Sequence, residues 1–362
     1  MKKNILFFLP VFIHGGAGNA ISKMCKKFDK SKYNFYIISI GPCSYKKELK
    51  KYVKKFYELK TERAIYSIFE LRKIINRLDT QNNNIFVSNI NYTNVITILA
   101  LRRYSNLKII LTERTAIEEL DIYFGIKDFI KKKITKFLIK FLYKKADVII
   151  ANSKKSSVNL KNLCKTTVET IYSPAFEEFN KKIAKKNVVK KLLSVGRLSK
   201  EKGYETLIQA VNLIKDDTFV LDIIGDGDQK NNLSRLIKYY KLENKIFLRG
   251  YNKNPAKYFK KADLYINCSF FEGFPNSVVE AISYNLPVIC SKSHGGINEI
   301  LSNGKGGYFF DAGNHLRLAN LISKFLKEQK KFQQKTNYAK NKIVKFNTLN
   351  CVNRYEKIFD KL

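Results

Sequence analysis

Short apolar runs of strand length alternate with longer helical patterns along the whole chain. In the first half these runs predict strands over residues 4–11, 34–40, 85–88, 108–112, 147–151 and 168–172. In the second half they predict strands over residues 191–196, 219–225, 245–250, 263–269, 287–291 and 307–310. Because parallel strands joined by helices form doubly wound sheets, the two series predict an α/β protein with two Rossmann-like domains facing each other across a cleft.

A lysine-rich stretch with few core residues separates the two series near residues 179–187. It predicts a first domain over 1–180, a linker over 181–190 and a second domain over 191–345. Further helices are predicted over 316–330 and 348–359. The chain has 362 residues, which is enough for each domain to have a core of its own.

The first 13 residues have a basic start and a short apolar stretch, which is also the pattern of a signal peptide. No clear cleavage site follows, so we favour a first buried strand that leads into a glycine-rich loop. The six cysteines show no metal or redox spacing, which predicts reduced thiols in a cytoplasmic protein. No apolar run reaches the length of a membrane span.

The net charge of +37 is spread along the chain and is not gathered in one segment. A basic chain favours anionic surfaces, whether membrane or nucleic acid. No nucleic-acid-binding motif accompanies the charge, so we expect no nucleic-acid partner.

Two glutamates, Glu272 and Glu280, lie eight residues apart around a loop that leads from a predicted strand into a helix. We expect Asn276 or Ser277 to cap this helix, which leaves the amides of Ser277 and Val278 to bind phosphate. Glu280, one turn inside the helix, is placed to take ribose hydroxyls, and Glu272 is placed to reach a second sugar. Alternatively, Glu280 is a surface helix residue and Glu272 a loop acid.

Two cations follow the predicted strand 191–196. Arg197 can hold phosphate oxygens in a bidentate way, and Lys202 adds a mobile point charge five residues later. In a chain this basic, either residue alone would be read as part of a solvated face. Together with Glu272 and Glu280 they predict a site for a nucleotide diphosphate sugar.

In the first domain, Gly15 and Gly16 follow the first strand and allow a ligand to approach the backbone closely. Glu113 and Arg114 end another predicted strand at the same sheet edge. We expect Arg114 to hold either the donor's charge or the acceptor.

The run from Ser269 through Glu272 and Pro275 to Glu280 resembles the Ser-x-x-Glu-Gly-Phe-Pro and Glu-x7-Glu signature of retaining GT-B glycosyltransferases of group 1. The segment 196–203 is similar to that family's Gly-Arg-Leu-x-x-x-Lys-Gly. The resemblance implies catalytic roles for Glu272, Arg197 and Lys202. It implies that the donor contacts Glu280, Gly16, Ser277, Val278, Asn276, Phe274, Gly273, Gly296 and Gly225.

The resemblance also implies what the enzyme transfers. The expected donor is a UDP-sugar such as a UDP-N-acetylhexosamine, and the expected acceptor is a growing surface glycan or a lipid-linked oligosaccharide. Transfer would proceed with retention and without a metal or other cofactor. The segment 346–362 is expected to cross back to the first domain. The alternatives are a sugar-nucleotide epimerase of the same fold and a non-catalytic basic protein that binds membrane or nucleic acid.

Residues 126–145 form a basic amphipathic pattern, with eight lysines and a single acid. Its apolar residues lie at positions 126, 130, 134, 137, 138 and 141. Such a helix can lie on an anionic membrane, with Lys132, Lys133, Lys136 and Lys140 towards the lipid, which would make the protein peripheral on the inner face of the plasma membrane. The alternative is an ordinary helix that packs its apolar side on the first domain's sheet.

Overall fold

The computed structural model describes residues 2–13, 15–61, 64–78, 83–123, 125–180, 189–216, 218–293 and 295–362. The chain forms two compact units, one made of Met1–Pro174 with Thr348–Leu362 and the other of Ala175–Asn347. Most of the predicted linker, residues 181–188, lies outside the described residues. Residues 175–180, which the sequence placed in the first domain, belong to the second unit, because the amide of Ala175 donates to Phe346 and that of Asn180 to Ser283.

Unit 1 is built on a parallel sheet with the strand order β3-β2-β1-β4-β5-β6-β7 in the described residues. Its strands are β1 (Lys3–Leu9), β2 (Tyr33–Ser39), β3 (Lys55–Glu58), β4 (Asn84–Asn89), β5 (Leu107–Glu113), β6 (Val148–Ala151) and β7 (Glu169–Thr170). The segment that resembled a signal peptide is β1, a buried strand in the interior of the sheet. The sequence did not predict β3, because this edge strand is only half-buried and has no apolar run.

Helices cover both faces of the unit 1 sheet. They are α1 (Gly16–Lys27), α2 (Lys46–Leu49), α3 (Ser67–Asn76), α4 (Asn91–Leu101), α5 (Ile126–Leu142) and α6 (Lys154–Cys164). Buried side chains of α1 form the core on one face, and those of α3, α4, α5 and α6 form the core on the other. This is the layered arrangement that the alternating pattern predicted.

Unit 2 has a parallel sheet with the order β10-β9-β8-β11-β12-β13 in the described residues. Its strands are β8 (Lys190–Val195), β9 (Phe219–Ile224), β10 (Ile246–Leu248), β11 (Leu264–Asn267), β12 (Val288–Ser291) and β13 (Tyr308–Phe310). Its helices are α7 (Tyr204–Asn212), α8 (Lys230–Tyr239), α9 (Ala256–Lys261), α10 (Asn276–Ser283), α11 (Ile297–Ile300), α12 (His315–Lys327) and α13 (Gln329–Ile343). All six of these strands were predicted.

The helix predicted over 316–330 corresponds to α12, and only its last two residues belong to a second helix, α13. Helix α12 ends at Lys327, and α13 begins at Gln329. The sequence did not predict α13, because it is mostly polar and buries only a narrow stripe of Phe332, Thr336 and Ala339, with Ile343.

The last helix, α14 (Thr348–Lys361), belongs to unit 1. It packs beside α1 through Cys351, Val352, Tyr355 and Phe359, which lie on one side of the helix. The Lys3 ammonium donates to the Phe359 carbonyl oxygen at 2.7 Å, which fixes the end of α14 against β1. Within the described residues, no helix is long and apolar enough to cross a membrane.

Candidate functional site

The loops after β8 and β11 meet at the carboxyl edge of the unit 2 sheet. These strands are hydrogen-bonded neighbours, with Leu264 opposite Leu192. Arg197 and Lys202 lie on the loop after β8, and Glu272 lies on the loop between β11 and α10. Ligands of open α/β sheets bind at this edge. The structure therefore brings the two predicted cations and the loop carboxylate to one side of the unit.

Glu272 is held by two donors on the same carboxylate oxygen. Lys202 Nζ donates to Glu272 Oε1 at 2.5 Å, and Ser269 Oγ donates to the same atom at 2.8 Å. The Ser269 carbonyl oxygen in turn accepts from Ser291 Oγ at 2.5 Å. Glu272 Oε2 accepts no hydrogen bond within the described part of the chain, so one oxygen is fixed and the other is available to a ligand.

The Lys202–Glu272 ion pair is mostly shielded from water. The side chains of Lys202 and Glu272 are 22% and 14% exposed. An ion pair at this depth is screened less by salt than a surface pair. The carboxylate predicted to be catalytic and one predicted phosphate-binding cation are thus in direct contact with each other.

Tyr265 connects β8 to the start of α10. Its hydroxyl donates to Ser277 Oγ at 2.7 Å and lies 3.3 Å from the Val195 carbonyl oxygen. The side chain is fully buried, and burial raises the pKa of the Tyr265 hydroxyl well above its ordinary value. Tyr265 therefore remains protonated and fixes the helix start relative to the strand that leads to Arg197.

The start of α10 differs from the prediction. No side chain caps this helix, because Pro275 occupies the N-cap position and Ser277 Oγ is engaged by Tyr265. The predicted capping by Asn276 or Ser277 is wrong. The amide of Val278, predicted to be unpaired, donates to the Pro275 carbonyl at 3.0 Å. Asn276 Oδ1 is buried and has no partner within the described residues, so it retains an unused acceptor beside the Glu272 loop.

The opposite end of α10 is closed by a left-handed cap. Asn285 has a left-handed conformation, with φ of 61°, and the Leu286 amide donates back to the Ala281 carbonyl. Pro287 then precedes β12. The left-handed Asn285 and the proline after it end the helix that carries Glu280 and so fix its length.

Three predicted site residues sit outside the Lys202–Glu272 contact. The Arg197 side chain is exposed and makes no hydrogen bond or ion pair within the described part of the chain. Glu280 lies on α10 and is partly exposed. Phe274 is buried, with its ring 5.0 Å from that of Phe346, so it supports the loop from inside.

Two glycines allow neighbouring loops to pack against the site. Gly225 has φ of +154°, and a Cβ there would lie 1.8 Å from the Gly196 carbonyl oxygen. Gly295 has φ of +102°, and a Cβ there would lie 1.7 Å from the Glu272 carbonyl oxygen. The amide of Gly296 then donates to the Gly273 carbonyl at 3.0 Å. Packing alone requires glycine at 225 and 295, because any side chain would push the loops apart.

Gly15 and Gly16 are different. Gly16 begins α1, and a Cβ at either position would meet no atom of the described residues within 4 Å. The packing of the protein therefore does not require these glycines. Open space next to the backbone is what the close approach of a ligand would need.

Arg114 and Glu113 face different surroundings in unit 1. Arg114 Nε donates to Asn89 Oδ1 at 2.7 Å, and Asn152 Nδ2 donates to the Arg114 carbonyl at 2.8 Å. Arg114 Nη2 is buried and has no partner within the described residues. Glu113 is 1% exposed and accepts from the Tyr143 hydroxyl and from Thr115 Oγ1, both at 3.0 Å. Of the two, Arg114 has an unused donor for a ligand.

Burial raises the pKa of Glu113 to about 7. Above pH 4.5 the unfolded state ionises while the folded state stays protonated, so Glu113 destabilises the fold increasingly as pH rises to about 7. We expect Glu113→Gln to be more stable than the wild type by roughly 3 kcal/mol at pH 8, with the difference vanishing towards pH 4.5. Urea unfolding of both proteins between pH 5 and 8 measures this. A difference that does not change with pH would contradict the raised pKa.

Comparison with known families places the chain among sugar-transferring enzymes. Residues 175–342 match the family described as glycosyl transferases group 1. Two proteins of Campylobacter jejuni align over most of their length. One is N-acetylgalactosamine-N,N'-diacetylbacillosaminyl-diphospho-undecaprenol 4-alpha-N-acetylgalactosaminyltransferase, 28% identical over 80% of this chain and 78% of its own. The other is an alpha-1,4-N-acetyl-D-galactosaminyltransferase acting on a related undecaprenol-linked glycan, 24% identical over 94% of both chains.

Solved structures share the fold. HepE of Anabaena in complex with UDP-glucose superposes with a TM-score of 0.81 at 18% identity, over 99% of this chain and 100% of HepE. The lipopolysaccharide outer core galactosyltransferase WaaB superposes with a TM-score of 0.75 at 18% identity, over 99% of this chain and 100% of WaaB. These likenesses confirm the predicted GT-B fold.

Proposed function

We propose that the chain, whose residues 175–342 match the group 1 glycosyltransferases, is a retaining enzyme that moves a sugar from a UDP-sugar to a growing surface glycan or lipid-linked oligosaccharide. The observation that carries this proposal is the contact of Glu272 with Lys202 and Ser269 at the carboxyl edge of unit 2. A fixed carboxylate beside a cation supports the binding of a sugar attached to a diphosphate.

The reaction breaks the bond between the anomeric carbon and the diphosphate oxygen. Negative charge then grows on the diphosphate, and Arg197 and Lys202 stabilise it. The new bond joins the anomeric carbon to the acceptor oxygen on the same face, and the acceptor's proton passes to the departing diphosphate. Neither carboxylate needs to act as a nucleophile. Glu272 binds a sugar hydroxyl near the reacting carbon, and Glu280 binds the ribose.

The names of the relatives support a more specific proposal for the donor sugar and the acceptor. Two relatives transfer N-acetylgalactosamine to undecaprenol-linked acceptors, so we propose an N-acetylhexosamine donor and a lipid-linked acceptor. The acceptor chemistry would place the enzyme at the cytoplasmic face of a membrane. The six buried, unpaired cysteines suit a reducing compartment.

We predict that transfer needs no divalent cation. Arg197 is exposed and without a protein partner in the described residues, and Lys202 is held at the site, so two positive charges can neutralise the leaving diphosphate. The rate of UDP release should be the same in EDTA as in magnesium or manganese. Loss of activity in EDTA that magnesium restores would show that a metal supplies this charge instead.

A panel of radiolabelled nucleotide-sugars with cell-envelope lipid extract tests the proposed function. The expected result is label in the lipid phase together with release of the nucleoside diphosphate, for one or a few donors. A sugar-nucleotide epimerase would instead return a changed nucleotide-sugar and leave the lipid unlabelled. A non-catalytic binding protein would leave every donor unchanged.

A further inference from the structure

Helix α5 exposes one continuous apolar stripe to solvent. Its members are spaced three or four residues apart and are each between 43% and 79% exposed: Ile126, Ile130, Ile134, Phe137 and Phe141. A core-packing helix buries such a stripe. An uncovered apolar surface of this kind on a folded protein marks an interaction site.

The helix packs on unit 1 by its opposite side. Ile139 is fully buried, and Leu138 and Leu142 pack against the same core. The alternative in which the apolar stripe packs on the sheet is therefore wrong.

Two of the four lysines that the sequence assigned to the lipid face the protein instead. Lys132 Nζ donates to the Ile122 carbonyl at 2.7 Å, and Lys136 pairs with Asp121 at 2.6 Å.

The other lysines border the stripe. At 3.6 residues per turn, Lys127 and Lys131 fall along one edge of the stripe, and Lys133 and Lys140 fall along the other. Lysine stems can lie along apolar surface while their ammonium groups remain in a polar layer. The arrangement is that of a helix lying in the plane of a membrane interface.

The lysines that border the stripe favour a lipid surface over a second copy of the chain as the partner of α5. Two copies packed stripe to stripe would bring rows of lysines together without acidic partners. The one acid of α5, Asp128, is 3.0 Å from Lys132 on the protein-facing side and cannot neutralise them. Anionic headgroups supply the missing charge.

We infer that α5 docks unit 1 on an anionic membrane by inserting its apolar stripe among the acyl chains, with the bordering lysines at the headgroups. Binding then has an apolar part, which salt does not screen, and an electrostatic part, which salt weakens. The inference uses the proposed lipid-linked acceptor only to explain the purpose of docking. It can be tested without any sugar.

The absence of tryptophan from this chain allows a direct test. We expect Phe137→Trp to show blue-shifted emission and quenching by brominated acyl chains on vesicles containing phosphatidylglycerol. The matched control is Tyr239→Trp, at a 77% exposed position on α8, which should show neither effect. If Phe137→Trp is not quenched while the protein binds vesicles, or if it binds none, the inference is overturned.

A second set of variants separates the two parts of binding. Phe137→Ser should weaken partitioning into these vesicles roughly tenfold. Lys133→Glu with Lys140→Glu should weaken it more at low salt than at high salt, whereas the charge-matched control Lys330→Glu with Lys357→Glu should not. Light scattering shows whether any variant alters self-association. A dimer that Phe137→Ser dissociates, with no vesicle binding, would assign the stripe to a second copy instead.

Measuring UDP binding distinguishes a failure of the docking surface from a failure of the proposed function. All these variants lie outside the donor site and should bind UDP like the wild type. Loss of vesicle binding with intact UDP binding supports the docking surface, and vesicle binding by a chain that binds no UDP would count only against the proposed function.

Discussion

Lys202→Ala is expected to lower the rate of sugar transfer by about 10²–10³-fold while the protein remains folded. The change removes a charge that would bind the leaving diphosphate. It also removes the donor that holds Glu272 Oε1 at 2.5 Å. Arg197→Ala should have an effect of similar size on the barrier, but it should leave Glu272 in place because Arg197 is not in contact with it.

Lys200→Ala is the matched control, because Lys200 is an exposed lysine on the same turn. It should keep the wild-type rate. The comparison uses kcat under saturating donor, with circular dichroism to verify folding. Wild-type turnover in a folded Lys202→Ala or Arg197→Ala protein would remove that residue from the leaving-group site.

Glu280→Gln and Glu272→Gln should impair different steps. The ribose does not change during the reaction, so Glu280→Gln should weaken UDP binding by about tenfold or more, in line with the loss of a charged hydrogen bond of roughly 1.5–3 kcal/mol. Glu272 is expected to act on the sugar, so Glu272→Gln should lower kcat much more than it lowers UDP affinity. Calorimetric titration with UDP, together with kcat, separates the two.

The control for this pair is Glu205→Gln, an exposed glutamate on α7. It should change neither the UDP affinity nor kcat. Equal UDP affinity for the wild type and Glu280→Gln would contradict the ribose assignment. A Glu272→Gln protein that loses UDP binding and keeps its kcat would reverse the two roles.

Strand prediction succeeded wherever strands are buried on both faces. Such strands are continuous apolar runs, as in β1 and β11, and the pattern reveals them directly. The exposed edge strand β3 and the polar helix α13 gave no such signal. Both elements are stabilised by their neighbours more than by their own sequence.

The candidate site was predictable only in part. Spacing within one loop and helix identified Glu272 and Glu280, but the contact between Lys202 and Glu272 spans 70 positions and depends on two strands being neighbours. The contact of Tyr265 with the start of α10 could not be predicted, because a tyrosine in an apolar strand has the same pattern as any core residue. Ser269 is part of the recognised motif, yet only the structure shows that it donates to Glu272.

Helix α5 illustrates a limit of amphipathic patterns. The period of its apolar residues identified a helix with one apolar side, and the usual assumption is that this side packs on the core. The helix instead packs through Ile139 and the residues beside it. The pattern could not show this, because the sequence does not reveal which side of a helix its neighbours cover.

The most direct measurement follows the anomeric carbon. The enzyme is supplied with a UDP-sugar labelled with ¹³C at that carbon, together with the lipid acceptor that the donor panel identifies. Nuclear magnetic resonance then locates the label and its configuration. We predict that the label appears in a new glycosidic bond with the configuration it had in the donor. Label in the opposite anomer, or in an epimerised nucleotide-sugar with no glycoside formed, would contradict it.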